Sequence, residues 1–129
     1  MVDMKELKFR VELLEEAKQF LDSIDEKSRE KIIYNIWKSR GANDKELFKK
    51  LQDEIWEFRT KYNKIYYRLF AFWDKTDKKD TIVISTHGII KKTDKISKKE
   101  IEKAERIRQQ YLAYRQAGFN EKINENENI

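Results

Sequence analysis

The chain has 129 residues, 39% of them hydrophobic, 12% aromatic and 41% charged, which describes one small core inside a shell far more charged than the roughly 25% of ordinary soluble domains. It has no cysteine and a single histidine, and no apolar run approaches the roughly 18 residues of a membrane span, so a disulfide scaffold, a zinc cluster and a membrane helix fall away. The net charge of +5 is modest, and the opening residues lack the apolar stretch of a secretory signal, so a cytoplasmic protein with no metal or cofactor is expected.

Residues 5–10 suit a short strand. The spacing of Leu13, Ala17, Phe20, Leu21 and Ile24 then predicts an amphipathic helix. Ser23-Ile24-Asp25-Glu26 has the form of a capping box, ahead of a second helix bearing Ile32, Ile33, Ile36 and Trp37 and stopped by Gly41, so that the two form an antiparallel pair. A third short helix is predicted over 44–51, with Asp44 as its cap and Leu47, Phe48 and Leu51 on one side. From residue 55 the period changes to two. Trp56 and Phe58 take one face of a strand over 55–60, while Ile55, Glu57 and Arg59 take the other. After a tight turn at Tyr62-Asn63-Lys64, residues 65–73 are apolar on both faces, as a central strand is. Arg68 is its one interruption, and a cation there requires a carboxylate, a stacking aromatic or a ligand phosphate. A polar connection over 74–80 leads to a third strand over 81–86, ending at His87-Gly88. Ser97-Lys98-Lys99-Glu100 repeats the capping-box form before a helix with Ile101, Ala104, Ile107, Tyr111 and Tyr114, ending near Gly118. One domain over 1–118 and a disordered tail over 119–129 are expected.

The positive charge is unevenly spread. Residues 89–99 hold five lysines against Asp94, whereas residues 116–129 hold Glu121, Glu125 and Glu127 against Lys122. Such a patch suits a polyanion, although any one lysine also suits an ordinary solvated surface.

The order helix, helix, three-strand meander, closing helix, with Ile55-Trp56-Glu57-Phe58-Arg59, Tyr67-Arg68, His87-Gly88-Ile89-Ile90-Lys91-Lys92-Thr93 and Glu100-Ile101-Glu102-Lys103-Ala104, resembles the HigB branch of the RelE/ParE toxin superfamily. The likeness covers about residues 5–114. It departs at Glu54, Ile89 and Ser97, where the family often has glycine, phenylalanine and proline, and these departures touch turns and packing more than chemistry. The resemblance implies an α+β, RelE-like fold: an N-terminal helical pair, a small antiparallel sheet with a possible short N-terminal strand, and a C-terminal helix. It also implies a toxin that cuts messenger RNA, often on the ribosome, through metal-independent attack by a 2′-hydroxyl, leaving a cyclic phosphate and a 5′-hydroxyl. The partner implied is a helix-turn-helix, HigA-like antitoxin, with the toxin monomeric alone and of higher order in the complex.

In-line attack builds negative charge on phosphate oxygens, which fixed cations lower in energy. By the resemblance, Arg68 and Lys92 carry this role, with Lys91 as the substitute; the residues alone equally allow Arg68 to pair with Glu57. Arg59 suits a second phosphate contact or a pair with Glu57. His87, with an ordinary pKa of about 6.5, is a candidate general acid or base, and Glu57 is the alternative. Tyr66 suits stacking on a base, or the core, and Lys61, Lys64, Lys95, Lys98 and Lys99 suit phosphate positioning. A gyrase poison of the ParE kind and an RNA-binding regulator that does not cut are the rival functions.

Overall fold

The computed structural model describes residues 9–41, 44–76, 82–93 and 95–127, the side chains as far as residue 118. Strand β1 (Arg10–Leu13) leads into helices α1 (Glu15–Ser23) and α2 (Glu26–Gly41). Strands β2 (Phe48–Gln52), β3 (Ile55–Tyr62), β4 (Ile65–Asp74) and β5 (Ile82–Lys91) follow, and α3 (Lys98–Glu127) closes the chain. The sheet order is β1-β5-β4-β3-β2, antiparallel throughout except for β1, which lies parallel to β5.

The first strand lies later than the pattern suggested. Residues 5–8 fall outside the described ones, and Leu13 is the last residue of β1, opposite Ser85, not the first of a helical stripe. The backbone NH of Leu14 then donates to the Ser85 carbonyl at 3.0 Å, which ends the strand as α1 begins. The capping assignment before α2 also shifts by two residues. Asp25 is the cap, its Oδ2 accepting from Ser28 N at 3.0 Å, while Ser23 Oγ donates back to the Phe20 carbonyl at 2.7 Å. Arg29 donates to the carbonyls of Leu21 and Ile24, which occupies orphan acceptors at the end of α1.

The expected helix over 44–51 is a turn followed by β2. The Phe48 ring stacks on Trp56 and Phe58 at 4.8 and 4.4 Å between centroids and meets Phe9 at 5.3 Å. In a helix Phe48 and Leu51 would share one stripe. In the strand they join different cores on opposite faces of the sheet, and that double burial outweighs the helical propensity of Lys and Leu. β3 and β4 are joined by Asn63 and Lys64, both at positive φ (51° and 64°), the geometry of a two-residue hairpin turn matched to strand twist.

One face of the sheet carries α1 and α2, with Ala17, Leu21, Ile32 and Ile36 packed against Phe58, Tyr67, Leu69 and Val83. The other carries α3, with Ala104 and Ile101 against Ile55, Phe70, Phe72, Ile82 and Ile84. Gly88 belongs to the first face, and a Cβ there would stand 2.1 Å from the Phe20 ring. β5 runs on to Lys91 instead of stopping before His87, because a bulge opposite Phe70 and Ala71 leaves Thr86 as an extra residue and lets pairing resume. α3 is capped by Ser97, whose Oγ accepts from Lys99 N at 3.2 Å. About midway along it Tyr111 donates to Asp74 Oδ2 at 2.5 Å and meets Phe72 edge-on. The helix does not end near Gly118. It continues to Glu127, through most of the segment expected to be an irregular tail, since one glycine costs a helix only about 1 kcal/mol and no proline follows.

Candidate functional site

α3 starts over His87 and runs toward Asp74, so it leaves the opposite end of its sheet face to other groups. Strand register arranges that end in three rows. The first reads Lys49, Glu57, Phe70, His87 across β2 to β5; the second reads Arg59, Arg68, Ile89; the third reads Lys61, Tyr66, Lys91. Alternation puts all of them on the α3 side. Among the described residues, these three rows hold five cations (Lys49, Arg59, Lys61, Arg68 and Lys91) and one carboxylate, Glu57.

Glu57 and Arg68 form its floor. Both side chains are fully buried (0% exposed), and Arg68 Nη1 donates to Glu57 Oε2 at 2.5 Å. Two of the three partners that the sequence allowed for Arg68 are therefore present, because the Tyr66 ring also lies 5.5 Å from its guanidinium. Arg59 directly opposes Arg68, a costly pairing of like charges in a sheet. Tyr66 moderates it. Arg59 at 5.0 Å and Lys61 at 5.3 Å from the ring centroid join Arg68 around the same aromatic quadrupole. Tyr67 points the other way, into the core, where its hydroxyl meets Ser28 Oγ at 3.0 Å.

His87 is only 3% exposed and its ring stacks on Phe70 at 4.8 Å. Its Nδ1 accepts from the Thr86 hydroxyl at 2.9 Å, and its Nε2 donates to Glu100 Oε2 at 2.7 Å, an assignment of the neutral tautomer from these two partners. Glu100 thus serves His87, so the second capping box keeps only its serine half. Burial pushes the His87 pKa below its ordinary value, which outweighs the opposing pull of the Glu100 carboxylate, and Lys103 acts in the same direction as burial. A lowered histidine pKa makes the unfolded chain the better proton acceptor. The stabilising contribution is then present above about pH 6.5 and lost as the pH falls through the depressed native value. The stability difference between the wild type and His87→Gln is expected to shrink as pH falls from 7.5 to about 5, read from urea midpoints; a difference constant over that range would refute the assignment.

The structure therefore brings together Glu57, Arg59, Lys61, Tyr66, Arg68 and Lys91, with His87 enclosed at their border. Lys64 lies exposed in the hairpin turn, Lys92 lies exposed just past the end of β5, and Lys95, Lys98 and Lys99 are exposed along the connection into α3. Lys49 joins this face although its segment has a helical pattern in the sequence. The signal for a strand there was the Asp53-Glu54 pair between two aromatic-containing runs, where Asp53 takes the left-handed conformation (φ 52°) of a hairpin. Among the described residues, no three His, Asp or Glu side chains converge as metal ligands, and no helix is long and apolar enough to cross a membrane.

An α+β sandwich of three helices on a five-stranded, mostly antiparallel sheet, closed by a C-terminal helix, is a RelE-like architecture. The model of the family described as phage derived protein Gp49-like (DUF891) matches residues 19–109, a span that contains every residue of the three rows. The chain belongs to that family, which is a RelE/HigB-like toxin family of toxin–antitoxin systems. No curated protein matches it.

Proposed function

We propose that the protein is an endoribonuclease toxin of the HigB kind that cleaves messenger RNA in the cytoplasm, on the translating ribosome, and is neutralised by a helix-turn-helix, HigA-like antitoxin. The observation that carries this reading is the cationic end of the α3 face, where Arg59, Lys61 and Arg68 surround Tyr66 and Lys91 stands opposite the same ring. Family membership supports it.

A 2′-hydroxyl attacks the adjacent phosphorus in line and loses its proton to water, the bond to the 5′-oxygen breaks and that oxygen takes a proton from water, and a cyclic phosphate and a 5′-hydroxyl result. Arg59 and Lys91, half-buried on either side of Tyr66, meet the charge that grows on the equatorial oxygens. Lys61 adds a more exposed contact, and Tyr66 offers a ring for an unpaired base. Arg68 contributes its field from the floor and not a direct contact, because no part of it reaches solvent. Neither Glu57 nor His87 presents an open atom to a substrate, so charge stabilisation, more than proton transfer by these two groups, carries the rate. The exposed lysines at 64, 92, 95, 98 and 99 extend the positive field around the site. The toxin alone is a monomer, and its antitoxin complex is of higher order.

A translation reaction on a defined messenger, with RNA 5′ ends mapped by primer extension, tests this. Wild type is expected to produce discrete new ends that are absent with Arg59→Ala/Lys91→Ala. Stalled translation on intact RNA would replace the reading with a non-cutting binder. Intact RNA and normal translation would direct the search to gyrase.

A further inference from the structure

We infer that Lys49 is a phosphate-binding residue of this face, serving a nucleotide next to the one that is cut; the inference rests on the RNA reading above. Lys49 stands directly opposite Glu57 on the edge strand β2, and its Nζ lies 3.8 Å from Glu57 Oε1. That is ion-pair range but longer than a hydrogen bond, and no hydrogen bond reaches Oε1. Oε2, by contrast, is held by Arg68 at 2.5 Å. Glu57 is thus already neutralised by a buried partner, and the Lys49 side chain, 39% exposed, brings a second positive charge with donors to spare at the rim of the row. Moving that ammonium onto a phosphate leaves the Glu57–Arg68 pair intact. An anion therefore gains a cation from β2 without orphaning a buried charge.

Position decides what Lys49 can serve. β2 and β5 are three strand intervals apart, roughly 14 Å at about 4.7–4.9 Å each, and Lys49 and Lys91 also lie in different rows. One phosphate cannot touch both. With Lys91 at the scissile phosphate, Lys49 holds a neighbouring one, so it contributes affinity more than rate.

The test is equilibrium binding of a labelled single-stranded RNA whose sugars are all 2′-O-methylated, which cannot undergo 2′-hydroxyl attack, across about 50 to 200 mM salt. Losing one phosphate contact on a single strand is expected to reduce the slope of log affinity against log salt by about 0.7. Lys49→Met, which keeps the apolar stem, is expected to show that reduction, and Lys49→Arg to restore the wild-type slope. Lys50→Met serves as the control, since Lys50 pairs with Trp56 and projects from the opposite face; its slope is expected to match wild type. A merely structural role for Lys49 would shift the unfolding midpoint but not the salt slope. A wild-type slope in Lys49→Met overturns the assignment while the RNA reading stands. Absence of any RNA binding by the wild type overturns both.

Discussion

Arg68→Ala is expected to destabilise the protein by about 3–5 kcal/mol, the cost of breaking a buried ion pair from one side. The reason is geometric. Glu57 and Arg68 are both fully buried, and among the described residues the carboxylate left behind would have Lys49 at 3.8 Å to answer its charge. Urea unfolding of wild type, Arg68→Ala and the double variant Glu57→Gln/Arg68→Met measures this. The double variant, which removes both charges, is expected to lose less than Arg68→Ala does. A loss below about 1 kcal/mol in Arg68→Ala would show that the carboxylate finds water or another cation. Loss of toxicity in Arg68→Ala consequently reports on the fold before it reports on chemistry, which is why the functional test rests on Arg59 and Lys91.

Lys91→Ala is expected to slow RNA cleavage by about 10²–10³-fold, the size of one lost transition-state donor, while Lys92→Ala costs only a few-fold. The distinction arises at Thr86. Plain alternation from Ile82 and Ile84 would bring Gly88, Ile90 and Lys92 to the α3 face. The bulge shifts the phase by one residue and brings His87, Ile89 and Lys91 there instead. Lys91 then stands opposite Tyr66, and Lys92 lies beyond the last paired residue. Single-turnover cleavage on ribosomes with either variant separates the two. A larger loss in Lys92→Ala would place the reacting phosphate past the end of β5 and discard the row arrangement as the site.

Much of the site was legible locally. The two-residue alternation placed Glu57 and Arg59 on one face, and the apolar run over 65–73 identified a central strand whose lone cation had to be matched. Both readings depend on contacts between near neighbours in the chain, where period alone separates buried from exposed. Which of Lys91 and Lys92 falls on the α3 face was not legible, because a bulge is a property of a pair of strands and leaves little trace in either one.

The sequence by itself determined the two N-terminal helices, the closing helix and the meander of β3, β4 and β5, the capping of α3 by Ser97, and the need for a partner to Arg68. Each follows from periodicity, side-chain capping or the cost of an unmatched buried charge, all of which act within a few residues. Only the tertiary structure decided that residues 48–52 form a strand, that β1 lies parallel to β5, that His87 is enclosed between Thr86 and Glu100, and that Lys49 joins the cationic face. These depend on which segments, far apart in the chain, can bury Phe48 on one face of the sheet and Leu51 and Phe70 on the other, and that long-range burial outweighs the local preference of the residues that carry the charges.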